Sequence, residues 1–433
     1  MNIQQEQEGR TMKNMFKRIF QPAEIAVKKA LGIKKLKKGQ LFDEQGFIKD
    51  EREKLTRYAL FVPFYQKIKF ITNVNEFSNG AHSQNGGGGA TLYTLKIRYK
   101  IFGIQIFSKN TSQIKICQTK SKLTPIFIYD FMAKYVATNP NIQQEISNLI
   151  SGLSKENQAF VLRQIGRFQK AYQSKDYIVK DLTAQELREW QKIHNEFIPY
   201  IYQLDKNLYA YKHYLLPTRI FELSVFWHKH SLSVLEPQTL AKMRQKDFID
   251  VGGFVGDSAM IFEQEFCDKN IYTFEPTKYN YNRMLQTIKL NNLKRVIPIN
   301  KGLGAENSKM EIEISRNDGL GSSVCSLEFY NTFVSSELVE ITTLDEFVRE
   351  NKIEVGFIKV DVEGFEMEFL KGAKETICTQ KPAMLLSIYH QASDYFGIKP
   401  LIESWNLGYK FKIHQGIDYS IPVETALFCE ILE

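Results

Sequence analysis

The hydrophobic rhythm of the chain changes along its length. From residue 247 onward, short apolar runs alternate with amphipathic stretches, the runs falling at 247–251, 271–274, 295–299, 357–361, 383–389, 409–414 and 425–432. Each has the length of a strand, and several carry no polar face, as strands covered on both sides do. Strand and helix signals in alternation predict a mostly parallel sheet with helices on both faces. The last two runs, "YKFKIH" and "ETALFCEIL", allow an antiparallel hairpin at the sheet edge.

Upstream, between about 126 and 245, the period becomes helical. "NIQQEISNLISGL" and "KENQAFVLRQIGRFQKAY" space apolar residues three and four apart, and "LTAQELREWQKIHNEFIPYIYQL" opens with Thr183 and Glu186 at the spacing of a capping box. Residues 41–125 hold the strand-like runs "YALFVPFYQKIKFI" and "TLKIRYKIFGIQIF". Between them, "SNGAHSQNGGGGA" predicts a flexible loop, since four glycines in a row, Gly86–Gly89, are poorly held in a strand or helix. No strand feeds this loop and no lysine closes it, so it does not read as a phosphate cradle. Nearer the start, Met12, Met15, Phe16, Ile19 and Phe20 recur at helical spacing among Lys13, Lys17 and Arg18, the pattern of a basic amphipathic helix. Four regions are therefore expected: 1–40, a basic amphipathic segment; 41–125, a small β-containing region; 126–245, a helical domain; and 246–433, the alternating α/β domain.

Charge changes the picture in one place. From Arg10 to Lys38 ten basic residues face one acid, Glu24, a surplus of nine that exceeds the +8 of the whole chain. The positive charge is thus an N-terminal feature, suiting a helix that lies on an anionic membrane surface or docks on its own protein, and it gives the α/β domain no nucleic-acid footprint. No apolar run approaches the roughly 18 residues of a spanning helix, and the N-terminus shows no secretory signal pattern. The five cysteines, Cys117, Cys267, Cys325, Cys378 and Cys429, are scattered and never form CxxC, which predicts neither a disulfide framework nor a zinc ribbon. The expected location is cytoplasmic, peripheral at the inner face of the membrane through residues 10–38.

Chemistry concentrates in "DFIDVGGFVGDSAM", residues 247–260. A strand ends at Asp250 and turns through glycines into a helix. The dinucleotide fingerprint GxGxxG fails here, because Phe254 and Asp257 stand where its second and third glycines belong. An acid opening the turn repels a pyrophosphate and suits the amino group of S-adenosylmethionine (SAM). Gly252 and Gly256 would then admit the cofactor close to the backbone, and Glu275, ending the next strand, would accept from the ribose hydroxyls.

The motifs "IDVGGFVGDS", "TFEP", "IKLNNL", "KGLG", "GLGSSV", "VEITTLDEF", "IKVDVEGFEMEFLKGA" and "KPAMLLSIYH", in this order over roughly the last 190 residues, resemble the FkbM-type SAM-dependent methyltransferases. Upstream, "YAYKHYLLPTRIFELSVFWHKHSL" resembles the helical lead-in of bacterial members linked to cell-surface glycan synthesis. The resemblance implies a class I methyltransferase fold: a Rossmann-like, seven-stranded, mostly parallel sheet, here preceded by the helical domain and the β-containing region. It implies O-methylation of a hydroxyl on a sugar or glycan precursor. It assigns SAM to Asp250, Gly252, Gly256 and Glu275, with Gly302 and Leu303 beside the adenine.

A sugar hydroxyl is a poor nucleophile, so a base or a metal should help remove its proton. His390, ending the fifth strand at the expected edge, is the candidate base. Asp361 and Glu363, on one side of "KVDVEGFE", would act at the acceptor site as a further base or as ligands of a divalent cation. No metal is assigned: a cation is the alternative, not the expectation. Lys359 reads as part of an internal ion pair. Asp394 reads as a helix cap, and His228 and His230 as a polar surface turn. "NDGLGSSV", 317–324, reads as a polar loop between two extra strands. The competing functions are a non-catalytic SAM-fold scaffold in glycan assembly and, below it, a nicotinamide-dependent dehydrogenase.

Overall fold

The structure is a computed structural model. It describes residues 123–432 apart from 206, 316–321 and 324–332, and, upstream, the backbone of strands between 34 and 117. The chain divides into two compact units, 1–120 and 121–433.

In the first unit the strands Lys34–Phe42, Ile48–Ala59, Val62–Phe77, Ala90–Ile101 and Ile104–Cys117 form a five-stranded antiparallel sheet in sequential order. Both strand-like runs of the sequence lie in it. A strand crosses residue 40, where the basic segment was expected to end. The amphipathic helix over 12–20 and the glycine loop at 86–89 lie outside the described residues.

The second unit is built on a seven-stranded sheet: β1 Asp247–Val251, β2 Ile271–Phe274, β3 Val296–Ile299, β4 Val355–Val360, β5 Ala383–Ser387, β6 Lys410–His414 and β7 Ala426–Glu430. All seven expected strands are present. Their spatial order is β3-β2-β1-β4-β5-β7-β6. The first five are parallel, while β7 runs antiparallel to both β5 and β6. Every residue of β4, β5 and β7 is buried, which explains why these runs read as continuous apolar stretches. Strand order reverses between β1 and β4, so a crevice opens beyond their carboxyl ends. A separate hairpin, Ser308–Ser315 against Phe333–Thr342, pairs with the short strand Gly302–Leu303 and stands beside that crevice. Residues 317–324 connect its arms and, except for a strand at Ser322–Ser323, lie outside the described residues.

The region before the sheet is mostly helical: α1 Asp130–Thr138, α2 Ile142–Ile150, α3 Lys155–Ser174 and α4 Ala184–Lys192. The capping box is real, with the Glu186 N–H donating to Thr183 Oγ1 at 3.2 Å and the Thr183 N–H to Glu186 Oε2 at 2.7 Å. Glu186 is also clamped by the buried Arg167 of α3, at 2.8 Å.

Two expectations need correction. The region is not purely helical: Ile201–Asp205, Leu208–Tyr211 and Tyr214–Leu216 form a three-stranded antiparallel sheet. Runs of three to five residues are too short to display a period of two. Nor does the region build a core of its own. Phe168, Trp190 and Phe197 belong to the same buried cluster as Phe248, Phe357 and Phe428 of the sheet. Among the described residues, no helix is long and apolar enough to cross a membrane.

Candidate functional site

The glycine turn after β1 is fixed from three sides. The N–H groups of Gly252 and Gly253 both donate to Phe274 O at the end of β2, at 3.1 and 2.8 Å. Lys359 of β4 reaches under the turn and donates to Gly252 O at 2.9 Å. The same ammonium lies 3.5 Å from Asp250 Oδ1, and Thr273 Oγ1 donates to the other carboxylate oxygen at 2.6 Å. Burial works against the Lys359 cation, but Asp250, Asp361 and Asp257 outweigh it and hold the pKa above the ordinary lysine value.

The glycines serve this packing. Gly252 has φ +82° and a Cβ there would fall 1.8 Å from Asp361 O; Gly256 has φ +80° and a Cβ would fall 2.8 Å from Met284 Cγ. Both need the left-handed backbone that glycine adopts freely. Their missing side chains make room for β4 and for the helix Lys278–Asn291 (α5), a reason different from the close cofactor approach expected from sequence.

A cavity opens above the turn. Its apolar side comprises Phe254, Phe274, Leu303, Ile312, Ile341 and Phe365. Its polar side carries six carboxylates, Glu222, Asp257, Glu275, Asp361, Glu363 and Glu424, together with Tyr389. Of the residues assigned to SAM, Gly252, Glu275, Gly302 and Leu303 line it. Asp250 and Gly256 do not: Asp250 is fully buried behind the turn and occupied by Lys359 and Thr273. The acid that does face the cavity is Asp257, which the sequence reading used only as a missing glycine. Its Oδ1 accepts the Ser258 N–H at 2.9 Å, while Oδ2 is buried with no hydrogen-bond partner. Burial pushes this carboxyl up to about 6.

Glu275 is 5% exposed. It accepts from the Phe254 N–H at 3.0 Å and from the N–H and hydroxyl of Thr277 at 2.9 and 2.6 Å. Burial outweighs these bonds and raises its pKa to about 7. The Asn280 side chain also hydrogen-bonds it, so four donors meet the roughly four acceptor sites of a carboxylate, and a ribose hydroxyl would replace or share one of them. The residues present therefore fit SAM: an orphaned buried carboxylate oxygen for its amino group, a carboxylate for its ribose and an apolar wall for its adenine.

At the other end of the cavity stands His390, 4% exposed. Its Nδ1 lies 2.8 Å from Glu366 Oε1, and its Nε2 lies 3.4 Å from Asp361 Oδ1 and 3.5 Å from Glu363 Oε2. Burial disfavours the imidazolium, yet Glu366, Glu363 and Asp361 prevail and raise the pKa to about 10. The three carboxylates favour the protonated ring over the neutral one, which makes it a poor acceptor for a substrate proton. This corrects the expectation of His390 as base. It sits behind Asp361 and Glu363, which line the cavity while it does not. The signal was in the sequence: Glu363 and Glu366 flank the glycine of "EGFE".

Of the remaining cavity acids, Glu222 lies in the lead-in "YAYKHYLLPTRIFELSVFWHKHSL" and Glu424 in no quoted motif. Glu222 precedes the sheet and Glu424 precedes β7. Burial pushes Glu424 up to about 8, with Asp361 and Asp418 adding to the rise. Tyr389 O–H lies 3.4 Å from Glu424 Oε1 and 3.5 Å from Asp361 Oδ1. His230 is buried and lines the cavity, rather than standing on a surface turn, while His228 Nε2 lies 2.9 Å from Ile417 O. Asp394 lies in the first turn of the helix Ala392–Ser404 (α6), buried beside Glu366 rather than capping it.

Residues 250–411 match the Methyltransferase FkbM domain. Methyltransferase 1 of Beauveria bassiana (strain ARSEF 2860) is 22% identical over 173 residues, which are 36% of this chain and 70% of that protein. The solved FkbM methyltransferase of Methylobacillus flagellatus KT is 17% identical, with a TM-score of 0.36; the match covers 63% of this chain and 60% of that one. An rRNA methylase from Streptococcus thermophilus is 14% identical, with a TM-score of 0.28, over 45% of this chain and 93% of that one.

Replacing Lys359 by Met should strand the buried Asp250 charge and cost about 3–5 kcal/mol of stability. Adding Asp250→Asn should recover part of the loss, because a neutral amide needs no cation. Denaturant unfolding of the two variants checks this; equal midpoints for wild type and Lys359→Met would contradict it.

Proposed function

We propose, from the premise that residues 250–411 belong to the FkbM methyltransferase domain family, that this chain transfers the methyl group of SAM to a hydroxyl of a sugar or cell-surface glycan precursor. The observation that carries the acceptor class is the carboxylate side of the cavity. Glu222, Asp361, Glu363 and Glu424 present carboxyl groups that hydrogen-bond hydroxyls, and an acidic wall disfavours phosphate-bearing acceptors, nucleic acid among them.

When bound, SAM supplies an electrophilic methyl group. The chain's own part is alignment and proton removal. Asp257 and Glu275 hold the two polar ends of the cofactor, and Leu303, Phe274 and Ile341 receive its adenine. Glu424 takes the acceptor proton: it faces the cavity, and a carboxyl pKa of about 8 makes it a stronger base than an ordinary carboxylate. Tyr389, between Glu424 and Asp361, fixes the acceptor's orientation.

Two pH dependences follow. Glu275 must be ionised to accept from both ribose hydroxyls, and its pKa is about 7. SAM affinity should therefore rise as pH increases from 6 to 8, and Glu275→Gln should weaken binding and abolish the dependence. Calorimetric titration at several pH values measures it; a flat wild-type profile would exclude this role. Turnover of a neutral sugar acceptor should rise with pH through about 8 as Glu424 ionises. Glu424→Gln should lower kcat by about two to four orders of magnitude and remove that limb, with SAM affinity nearly unchanged. A Glu424→Gln enzyme with the wild-type profile would refute the assignment.

The basic segment supports peripheral contact with an anionic membrane, worth roughly 1 kcal/mol per basic residue near the surface. Deleting residues 1–40 should abolish sedimentation with anionic vesicles at moderate salt and leave SAM binding intact. Undiminished sedimentation of the truncated chain would exclude this segment as the anchor.

A further inference from the structure

We propose that Asp361, Glu363 and His390 form a binding site for one divalent metal ion at the acceptor end of the cavity. That position deepens the methyl-transfer reading and rests on it; the capacity to bind the ion does not.

The inference starts from an orphaned atom. His390 Nε2 is buried and has no hydrogen-bond partner, although it points between two carboxylates. Its distances to Asp361 Oδ1 and Glu363 Oε2, 3.4 and 3.5 Å, are long for hydrogen bonds. Each spacing, taken from Nε2, is that of a pair of ligands on one cation. Atoms about 2.1 Å from a shared ion stand about 3.0 Å apart in octahedral geometry and about 3.4 Å apart in tetrahedral geometry.

The surroundings are those of a ligating histidine. Nδ1 lies 2.8 Å from Glu366 Oε1, a carboxylate 1% exposed and itself fixed by the Val362 N–H at 3.0 Å. A carboxylate on the far nitrogen sets the tautomer and turns the other nitrogen toward the metal. Ligand atoms of Asp361, Glu366 and His390 all lie within 4.8 Å of one another, so Glu366 is near enough to add to the field at the ion. Two carboxylates and one imidazole suit Mn²⁺ and related divalent ions, the ion displacing to solvent the proton that these carboxylates otherwise favour on Nε2. Asp361 and Glu363 line the cavity, so open coordination positions would face the acceptor. An ion there lowers the pKa of an oxygen placed against it, which would ease proton transfer to Glu424.

The test is Mn²⁺ titration of the full-length protein with SAM present, followed by paramagnetic resonance. One Mn²⁺ per chain is expected, with affinity at least tenfold weaker in each of Asp361→Asn, Glu363→Gln and His390→Ala. Glu366→Gln, which leaves all three ligands in place, should lose about 10- to 100-fold through the misoriented ring. SAM affinity, measured on the same samples, reports folding and tests the cofactor reading separately. A protein that binds SAM but no Mn²⁺, or whose Mn²⁺ affinity is unchanged in all three ligand variants, overturns the site.

Discussion

A single buried lysine organises this molecule. Lys359 is the only charged residue in a strand otherwise made of Val, Gly, Phe and Ile. Placing an ammonium there is costly unless it is paired and hydrogen-bonded. It is both: Asp250 supplies the counter-charge and Gly252 O the hydrogen bond. One side chain thereby ties the carboxyl end of β1 to β4, the two strands between which the order reverses. The crevice between them holds its shape because that pair cannot separate without leaving a charge unpaired in the core.

The consequences spread outward. Asp250 is committed to structure, and the acid of this turn that faces the cavity is Asp257, at the start of the following helix. Lys359 also partly offsets an acidic cavity wall that would otherwise repel itself. The wall draws on distant segments: Glu222 precedes the sheet, Asp361 and Glu363 follow β4, Tyr389 follows β5 and Glu424 precedes β7. The family match covers residues 250–411, so Glu222, Ser224 and His230 reach the cavity from outside the matched domain. Acceptor choice is where such residues act.

The sheet was legible because full burial writes continuous apolar runs, and all seven strands stand where those runs fall. The glycine turn was legible in position but not in reason. Gly252 and Gly256 could be seen as glycines, whereas the Asp361 carbonyl and the Met284 side chain that forbid a Cβ come from elsewhere in the chain. Asp250 looked like a ligand because its strand-end position is local information; its burial by Lys359 is a tertiary fact. His390 failed as a base for the same kind of reason. A histidine at a strand edge suggests a base, but three carboxylates converging on it from another loop reverse the protonation that a base requires. Glu222, in the lead-in stretch, and Glu424, in no motif, became visible as site residues only when the fold brought them to the cavity.

The central claim is that the cavity above the glycine turn receives SAM, with its amino end on Asp257 and its ribose on Glu275. The most direct measurement is a crystal structure of the protein with SAM or S-adenosylhomocysteine bound. The predicted result has the ribose oxygens within hydrogen-bonding distance of Glu275, the amino group against Asp257, and Asp250 still paired with Lys359. An amino group seated on Asp250 with Lys359 displaced, or a cofactor bound outside this cavity, would contradict the account.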